Sequence, residues 1–164
     1  MIYIKLKENL FATISDKDSE LAKLNWGLNS VVPRDAYVRH TWKREGKRGS
    51  LLLHRSVMER ILGCSIPEGM HVDHVDNNKL NNERSNLQLC THAQNNAKRT
   101  KKTAYGYYGV HKHSSSKRYI VRVGKKYIGT ASNPEEGALM YDKALKEKFP
   151  ELIGYAPFNF PEAN

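Results

Sequence analysis

Four polar side chains between residues 69 and 99 have the types and spacing that metal-assisted hydrolysis needs. Asp73 and His74 are adjacent, Asn86 follows His74 by twelve residues, and Asn95 follows Asn86 by nine. Carboxylate and amide oxygens, together with water and phosphate oxygens, suit Mg²⁺, so Asp73 and Asn95 are the candidate metal ligands. His74, with an ordinary pKa of about 6.5, can take a proton from water at neutral pH. Asn86 can hydrogen-bond across the loop and hold the imidazole in place. A metal and a base together predict phosphodiester hydrolysis.

Three other interpretations use the same segment. An EF-hand is excluded because, counting from Asp73 or Asp76, apolar residues occupy ligand positions. A structural zinc site could use Cys64, His71, His74 and Cys90, but it lacks the usual local ligand pairs, and no structural zinc is expected. A purely structural turn would account for the loop asparagines, which are Asn77, Asn78, Asn81 and Asn82. It does not account for the Asp-His pair.

The elements predicted around these residues are a strand at 71–74, an Asn-rich loop, a strand at 87–90 and a helix from Thr91. This order of elements can bring the four side chains to one small site. Upstream, alternation predicts strands at 2–7, 10–14, 37–42 and 50–53, with Gly46 and Gly49 in the turn between the last two. Residues 16–25 suit a short helix, and an apolar stripe predicts a second helix over 53–62, ended by Gly63.

The C-terminal part has a different pattern. Strands fit 107–112, 118–123 and 126–130, and Asn133 followed by Pro134 and two glutamates begins a helix. We therefore expect an α+β chain that ends in a three-stranded antiparallel sheet packed on one helix.

Positive charge is concentrated in one segment. The chain has 164 residues, 27 Lys and Arg against 17 Asp and Glu, and a formal net charge of +10. No acidic residue occurs from Arg84 to Pro134, and this segment alone has eleven Lys and Arg. Such a segment favours a polyanionic partner, by default nucleic acid. We expect no membrane partner, because no basic amphipathic helix accompanies the charge.

The central segment resembles the HNH (His-Asn-His) nucleases, and more closely the homing endonucleases of intron-encoded and phage type. The matching strings are H-R-x-V-x-x-x-x-L-G from His54, I-P-x-G, V-D-H-x-D-x-N-x-L-N-N, S-N-L-Q and T-x-x-x-N-N. The resemblance extends upstream and covers roughly residues 1–99. It implies a ββα-metal site in which Asp73 and Asn95 bind the metal, His74 is the general base and Asn86 holds the loop. His54, His71 and His92 are further histidines without an assigned role in catalysis.

The C-terminal part resembles the plant ethylene-response-factor (Apetala-type) DNA-binding domain. The matches include Y-G-V at 108–110, I-G-T at 128–130, E-E-G-A at 135–138 and N-F-P at 159–161. In that family a three-stranded sheet lies in the major groove, and its DNA-facing positions fall here on His111, His113, Arg122, Lys125 and Tyr127. The flanking basic residues expected at the DNA backbone are Lys98, Arg99, Lys101, Lys102 and Arg118.

The prediction is a two-module DNA endonuclease. A nuclease module spans 1–98 with its ββα-metal core at about 69–98, a basic linker spans 99–106, and a DNA-binding domain spans 107–164. The expected cofactor is a divalent metal, Mg²⁺ with Mn²⁺ as an alternative, and the expected partner is double-stranded DNA. The alternatives are a DNA-binding regulator with an inactive nuclease module, and an RNA-binding or RNA-cleaving protein that stacks bases on tyrosines.

The cellular setting and the assembly are predicted only in outline. Without a visible export signal or membrane span, we expect a cytoplasmic protein of a bacterial or phage-infected cell. One site per chain favours nicking by a monomer, and a homodimer stays open.

Overall fold

The structure of the chain is a computed structural model that describes residues 1–31 and 36–161. By spatial clustering they divide into two units, residues 1–90 and 91–164. Strands and α-helices occur in both units, which confirms the α+β class. The described strands are β1 Ile2–Lys7, β2 Leu10–Ile14, β3 Trp26–Leu28, β4 Val38–Arg44, β5 Lys47–Leu52, β6 Met70–His74, β7 Asn81–Asn82, β8 Leu87–Thr91, β9 Val110–Lys112, β10 Tyr119–Val123 and β11 Lys126–Ala131. The described α-helices are α1 Leu53–Leu62, α2 His92–Lys98 and α3 Pro134–Lys148.

The N-terminal hairpin of the first unit also holds part of the Asn-rich loop. β1 and β2 pair antiparallel, and alternate residues Ile4, Ala12 and Ile14 enter the core. The short strand β7 pairs parallel to β2, with Ile14 opposite Asn82. The loop that follows His74 is therefore attached to the first strands of the chain.

A second sheet has the strand order β3-β4-β5, and the turn between β4 and β5 differs from the predicted one. Gly46 lies at the hairpin tip with a φ of 76°, a conformation that suits glycine. Gly49 is not in the turn but inside β5, directly opposite Trp42. A Cβ at Gly49 would clash with the Trp42 indole, so this strand position requires a residue without a side chain.

Helix α1 agrees with its predicted bounds. Leu53, Val57 and Met58 are buried in the core of the first unit, as their helical spacing indicates. Gly63 ends the helix at a φ of 70°, and its N–H donates to the carbonyl of Glu59 at 2.9 Å.

The predicted first helix is a 3₁₀-helix, Asp16–Lys23, with a kink at Asp18. The Asp18 side chain is fully buried, and it accepts hydrogen bonds from Arg60 at 3.0 Å and from Arg84 at 2.8 Å through two of its nitrogens. These two arginines join the N-terminal segment to α1 and to the 3₁₀-helix Arg84–Asn86.

The predicted strand, loop, strand and helix around the candidate site are all present. β6 and β8 form a two-stranded sheet, and β8 leads directly into α2. Thr91 caps α2, because its hydroxyl accepts from the N–H of Gln94 while the Gln94 side chain accepts from the N–H of Thr91.

The second unit contains the antiparallel sheet β9-β10-β11 and helix α3. Asn133 caps α3 by accepting from the N–H of Glu136 at 2.8 Å, as its position before Pro134 indicates. The core of this unit contains residues of β10, β11 and α3, among them Val121, Ala131, Tyr141 and Leu145. No helix in the described part of the chain is both long enough and apolar enough to cross a bilayer.

Candidate nuclease site

His74, the predicted base, ends strand β6 and is only 3% exposed. Its Nε2 lies 3.3 Å from Oδ1 of Asn82. The Asn82 amide nitrogen donates to the carbonyls of Leu80 at 3.0 Å and Lys79 at 3.3 Å. The amide oxygen of Asn82 therefore faces the imidazole, and the Nε2 of His74 carries the hydrogen. This tautomer leaves the lone pair on Nδ1.

Asn82 was not singled out as a site residue by the sequence analysis. It is fully buried, and its backbone pairs with Ile14 in β2. In the sequence it is one of a run of loop asparagines, and nothing local distinguishes it from Asn77, Asn78 or Asn81. Its contact with His74 depends on the pairing of β7 with β2, which joins segments almost seventy residues apart.

Asp73 is half-buried, and its carboxylate is held by a neighbouring amide. Gln88, on the paired strand β8, donates from Nε2 to Oδ2 of Asp73 at 3.0 Å. Hydrogen bonds of this kind orient a carboxylate that coordinates a metal. Gln88 is a second residue that the sequence analysis did not assign to the site.

Asn86 joins the two ends of the loop. Its Oδ1 accepts from the N–H of Asp76 at 3.1 Å, and its Nδ2 donates to the Asp76 carboxylate at 2.9 Å and to the carbonyl of Asn81 at 2.8 Å. Its own carbonyl accepts from the N–H of Val75. Asn82 thus contacts Nε2 of the imidazole, while the hydrogen bonds of the Asn86 side chain lie within the loop.

The loop is also a network of turns closed by asparagine and aspartate side chains. Burial tends to raise the pKa of Asp76, but hydrogen bonds from the backbone of Asn78 and from the side chains of Asn81 and Asn86 outweigh it, so this pKa is lowered. The structural interpretation of the Asn-rich loop therefore applies, and the chemical interpretation of the Asp-His pair stays a prediction.

Two aromatic rings, those of His54 and Tyr37, lie beside the ring of the predicted base. The ring of His54, on α1, lies 5.3 Å from that of His74, and the Tyr37 ring lies 4.7 Å from His54 and 6.2 Å from His74. His54 is 5% exposed, and its Nδ1 has no hydrogen-bond partner among the residues that the structure describes. Burial, then the charges of His74, Arg55 and Lys79, lower the pKa of His54 to about 3. His54 is therefore neutral at physiological pH.

Asn95, the other predicted metal ligand, lies on α2 in the second unit and is half-buried. A set of one carboxylate and one amide oxygen is hard in character and suits Mg²⁺, with water and phosphate oxygens completing the shell. No group of three or more His, Cys, Asp and Glu side chains in residues 1–31 and 36–161 could hold a metal ion. A two-ligand site with an asparagine does not require such a group.

The residues predicted to contact DNA all belong to the second unit. His111 and Tyr127 flank β10 on the face that carries Arg122, because His111 is opposite Ile120 and Tyr127 is opposite Arg122. The alternate positions Val121 and Val123 are buried. Of the residues predicted to contact DNA, Lys98 and His113 are half-buried. The others are exposed, namely Arg99, Lys101, Lys102, His111, Arg118, Arg122, Lys125 and Tyr127.

The first unit also has a cluster of exposed cations. On the β4-β5 hairpin Lys43 is opposite Arg48, and Arg44 is opposite Lys47. All four are exposed, and none forms an ion pair within the described residues. Like charges opposite each other in a sheet are destabilising, so a bound anion would stabilise this hairpin.

Comparison with known proteins locates a family match at this site. Residues 51–97 match the model of a family described as HNH endonuclease. The chain carries an HNH endonuclease domain. The matched segment begins at the end of β5 and includes α1, β6, β8 and all of α2 except Lys98, and with them all four residues predicted for the site.

One relative supports the same domain. A protein of Acanthamoeba polyphaga mimivirus, named uncharacterized HNH endonuclease L560, is 37% identical over 115 residues, which are 68% of this chain. The match spans 60% of that relative's own length. No solved structure matches the chain significantly. None of these comparisons supports the Apetala-type resemblance of residues 108–161.

Proposed function

We propose that this protein is a DNA endonuclease that hydrolyses phosphodiester bonds with a divalent metal. One observation carries the proposal: in the segment that matches the HNH family, the buried His74 has its Nε2 against the amide oxygen of Asn82 and follows Asp73 directly in the chain. The proposal takes Nδ1 of His74 as the base. The neighbouring Asp73 carboxylate is oriented by Gln88. A base and an oriented carboxylate side by side suit the activation of water at a phosphate.

His74 performs the proton transfer in the proposed reaction. A water molecule attacks phosphorus while its proton passes to Nδ1 of His74. The bond from phosphorus to the 3′ oxygen breaks, and that oxygen gains a proton from solvent. The products are a 5′-phosphate and a 3′-hydroxyl. Asn82 supports the step because its Oδ1 accepts from Nε2–H, which strengthens as the ring becomes positive.

Asp73 and Asn95 are the residues proposed to hold the metal. When bound, a divalent cation such as Mg²⁺ or Mn²⁺ supplies positive charge to the phosphate and to the leaving oxygen. Gln88 keeps the Asp73 carboxylate in one orientation, and the loop that Asn86 closes keeps His74 beside it.

Residues 98–127 are proposed to contact duplex DNA. The support is the absence of acidic residues from this segment and the exposed face that His111, Arg122 and Tyr127 share. A sheet face of this kind can enter a major groove. We also propose that residues 107–164 are similar in function to the Apetala-type DNA-binding domain. We further propose that the enzyme prefers one site, as homing endonucleases do, and that each chain nicks one strand.

The decisive test is a nicking assay on supercoiled DNA that carries the gene and its neighbourhood. We expect Mg²⁺-dependent nicking that EDTA abolishes and that His74→Ala reduces by about 10²–10⁴-fold, the usual contribution of a general base. His71→Ala is the matched control, because His71 lies three residues earlier on the same strand.

Two results would contradict the proposal. Equal loss in the His71 and His74 variants would remove the special role of His74. Binding of the DNA without cutting, in Mg²⁺ and in Mn²⁺, would favour the DNA-binding regulator instead.

A further inference from the structure

Helix α2, which carries Asn95, is too short to be stable without tertiary contacts. It has seven residues, and isolated helices shorter than about 12–15 residues are marginal in water. Its contacts within the second unit therefore determine where Asn95 lies. Gln94 and Ala97, one on each side of Asn95 in the sequence, contribute two such contacts.

Gln94 makes the first contact with both ends of its side-chain amide. Its Oε1 accepts from the N–H of Thr91 at 2.8 Å and completes the N-terminal cap of the helix. Its Nε2 donates to the carbonyl of Glu151 at 2.9 Å. Glu151 lies in the 3₁₀-helix Pro150–Leu152, so one side chain both caps α2 and attaches it to a segment 57 residues further along the chain.

Ala97 makes the second contact. It is the buried residue of α2, and it belongs to the same hydrophobic cluster as Leu152, Leu145 and Tyr141. Residues three apart share a helix face, so Gln94 and Ala97 fix both the position of α2 and its rotation about its axis. Successive residues of an α-helix are about 100° apart around its axis, so Asn95 lies on a different face of α2 from Gln94. The contacts of Gln94 and Ala97 therefore set the orientation of Asn95 without touching it.

We infer that Gln94 and the segment Pro150–Leu152 position Asn95 for metal binding. This inference rests on the proposed function, because it takes Asn95 as a metal ligand. Gln94 is a positioning residue. Partners of this kind behind a metal ligand typically contribute a factor of about 10–100 to metal affinity.

Gln94→Glu in the full chain separates the two contacts of this side chain. Glutamate keeps an oxygen that accepts from Thr91, as it commonly does in helix caps. It replaces the donor to Glu151 by a second acceptor that faces a carbonyl oxygen. Thr91→Ala does the reverse, because it removes the hydroxyl that caps α2 and leaves the bond from Gln94 to Glu151. Asn96→Asp adds the same charge to an exposed position of α2.

The measurement is a Mn²⁺ titration of the full chain without DNA, followed by the paramagnetic broadening of the Asn95 side-chain amide signals in NMR. We expect Gln94→Glu to need about tenfold more Mn²⁺ than the wild type for half-maximal broadening. Thr91→Ala is expected to lower the melting temperature with little change in the Mn²⁺ response. Asn96→Asp is expected to respond like the wild type.

The failures of the two proposals differ in this experiment. The Asn95→Ala variant is followed through the side-chain amide signals of Gln88, which donates to the other proposed ligand, Asp73. If Asn95→Ala weakens Mn²⁺ binding and Gln94→Glu does not, the positioning role is overturned and the metal site stands. If Mn²⁺ does not broaden the Asn95 signals of the wild type, the assignment of Asn95 as a ligand is overturned, and the inference with it. An equal effect of Gln94→Glu and Asn96→Asp would show that added charge, and not the lost bond, is responsible.

Discussion

Nε2 of His74 and Oδ1 of Asn82 lie 3.3 Å apart in a site where both side chains are buried. The amide nitrogen of Asn82 is already committed to the carbonyls of Lys79 and Leu80, so the acceptor end of the amide faces the ring. A neutral histidine with hydrogen on Nε2 can accept a proton only at Nδ1. In the proposed reaction, this contact assigns the role of the base to Nδ1.

Asn82→Ala should lower the nicking rate by about 10–100-fold, because the ring then loses the partner that orients it. The buried donor of His74 is also left unsatisfied, at a cost of about 1–3 kcal/mol in unfolding free energy. The rate should be measured in single turnover at a temperature where urea unfolding shows the variant to be folded. Asn78→Ala is the control, since Asn78 accepts from Leu80 in the same loop but is exposed. If both variants lose activity equally, the effect belongs to the loop and not to the imidazole.

Removal of the buried imidazole of His54 should change how stability depends on pH. The folded pKa of His54 is about 3, below the ordinary value of about 6.5 in the unfolded chain. Between these values the unfolded chain binds more protons, so the stability of the wild type falls as pH falls below about 6.5, by at most about 1.4 kcal/mol per pH unit. His54→Phe lacks this loss. Urea unfolding at pH 7.5, 6 and 5 should show that the unfolding free energy of His54→Phe rises relative to that of the wild type as pH falls. If the two unfolding free energies depend on pH in the same way, the prediction is contradicted.

The buried Asp18 carboxylate should be a large contributor to stability. Replacement by Ala removes the buried acceptor that half-exposed Arg60 and Arg84 share, and hydrogen bonds to charged groups typically contribute about 1.5–3 kcal/mol. Arg84→Met should destabilise more than Arg60→Met, because Arg84 donates two hydrogen bonds to Asp18 and Arg60 donates one. Thermal unfolding of the three variants measures this order. The reverse order of the two arginines would mean that their stacking and packing outweigh the hydrogen bonds.

Arg122 should contribute to the electrostatic part of DNA binding. Arg122→Ala should weaken binding and lower the slope of log affinity against log salt by about 1, the effect of one lost phosphate contact. Lys143→Ala is the matched control, because Lys143 is an exposed cation on α3 whose partner is Glu147 at 3.9 Å. Fluorescence anisotropy with a short duplex at several salt concentrations measures both slopes. Equal slopes for Arg122→Ala and the wild type would place the DNA elsewhere.

Local patterns predicted most of the elements. The helix over 53–62 and its end at Gly63, and the cap at Asn133, follow from apolar spacing and from residues with strong positional preferences. The prediction was wrong for Gly49, because a strand glycine can also be required by a side chain across the sheet, here Trp42. The short helix at 16–25 is 3₁₀ and kinked, since Asp18 turns inward to meet two arginines distant in the sequence.

The sequence by itself determined the chemical types at the candidate site and their order, because Asp73, His74, Asn86 and Asn95 stand at spacings that a strand, loop, strand and helix impose. Only the tertiary structure decided which side chains support them. Asn82 meets His74 because β7 pairs with β2, Gln88 meets Asp73 across paired strands, and Gln94 meets the carbonyl of Glu151. Such contacts join residues up to almost seventy positions apart, and no local pattern encodes them, since a buried polar group selects its partner only once the chain has folded around it.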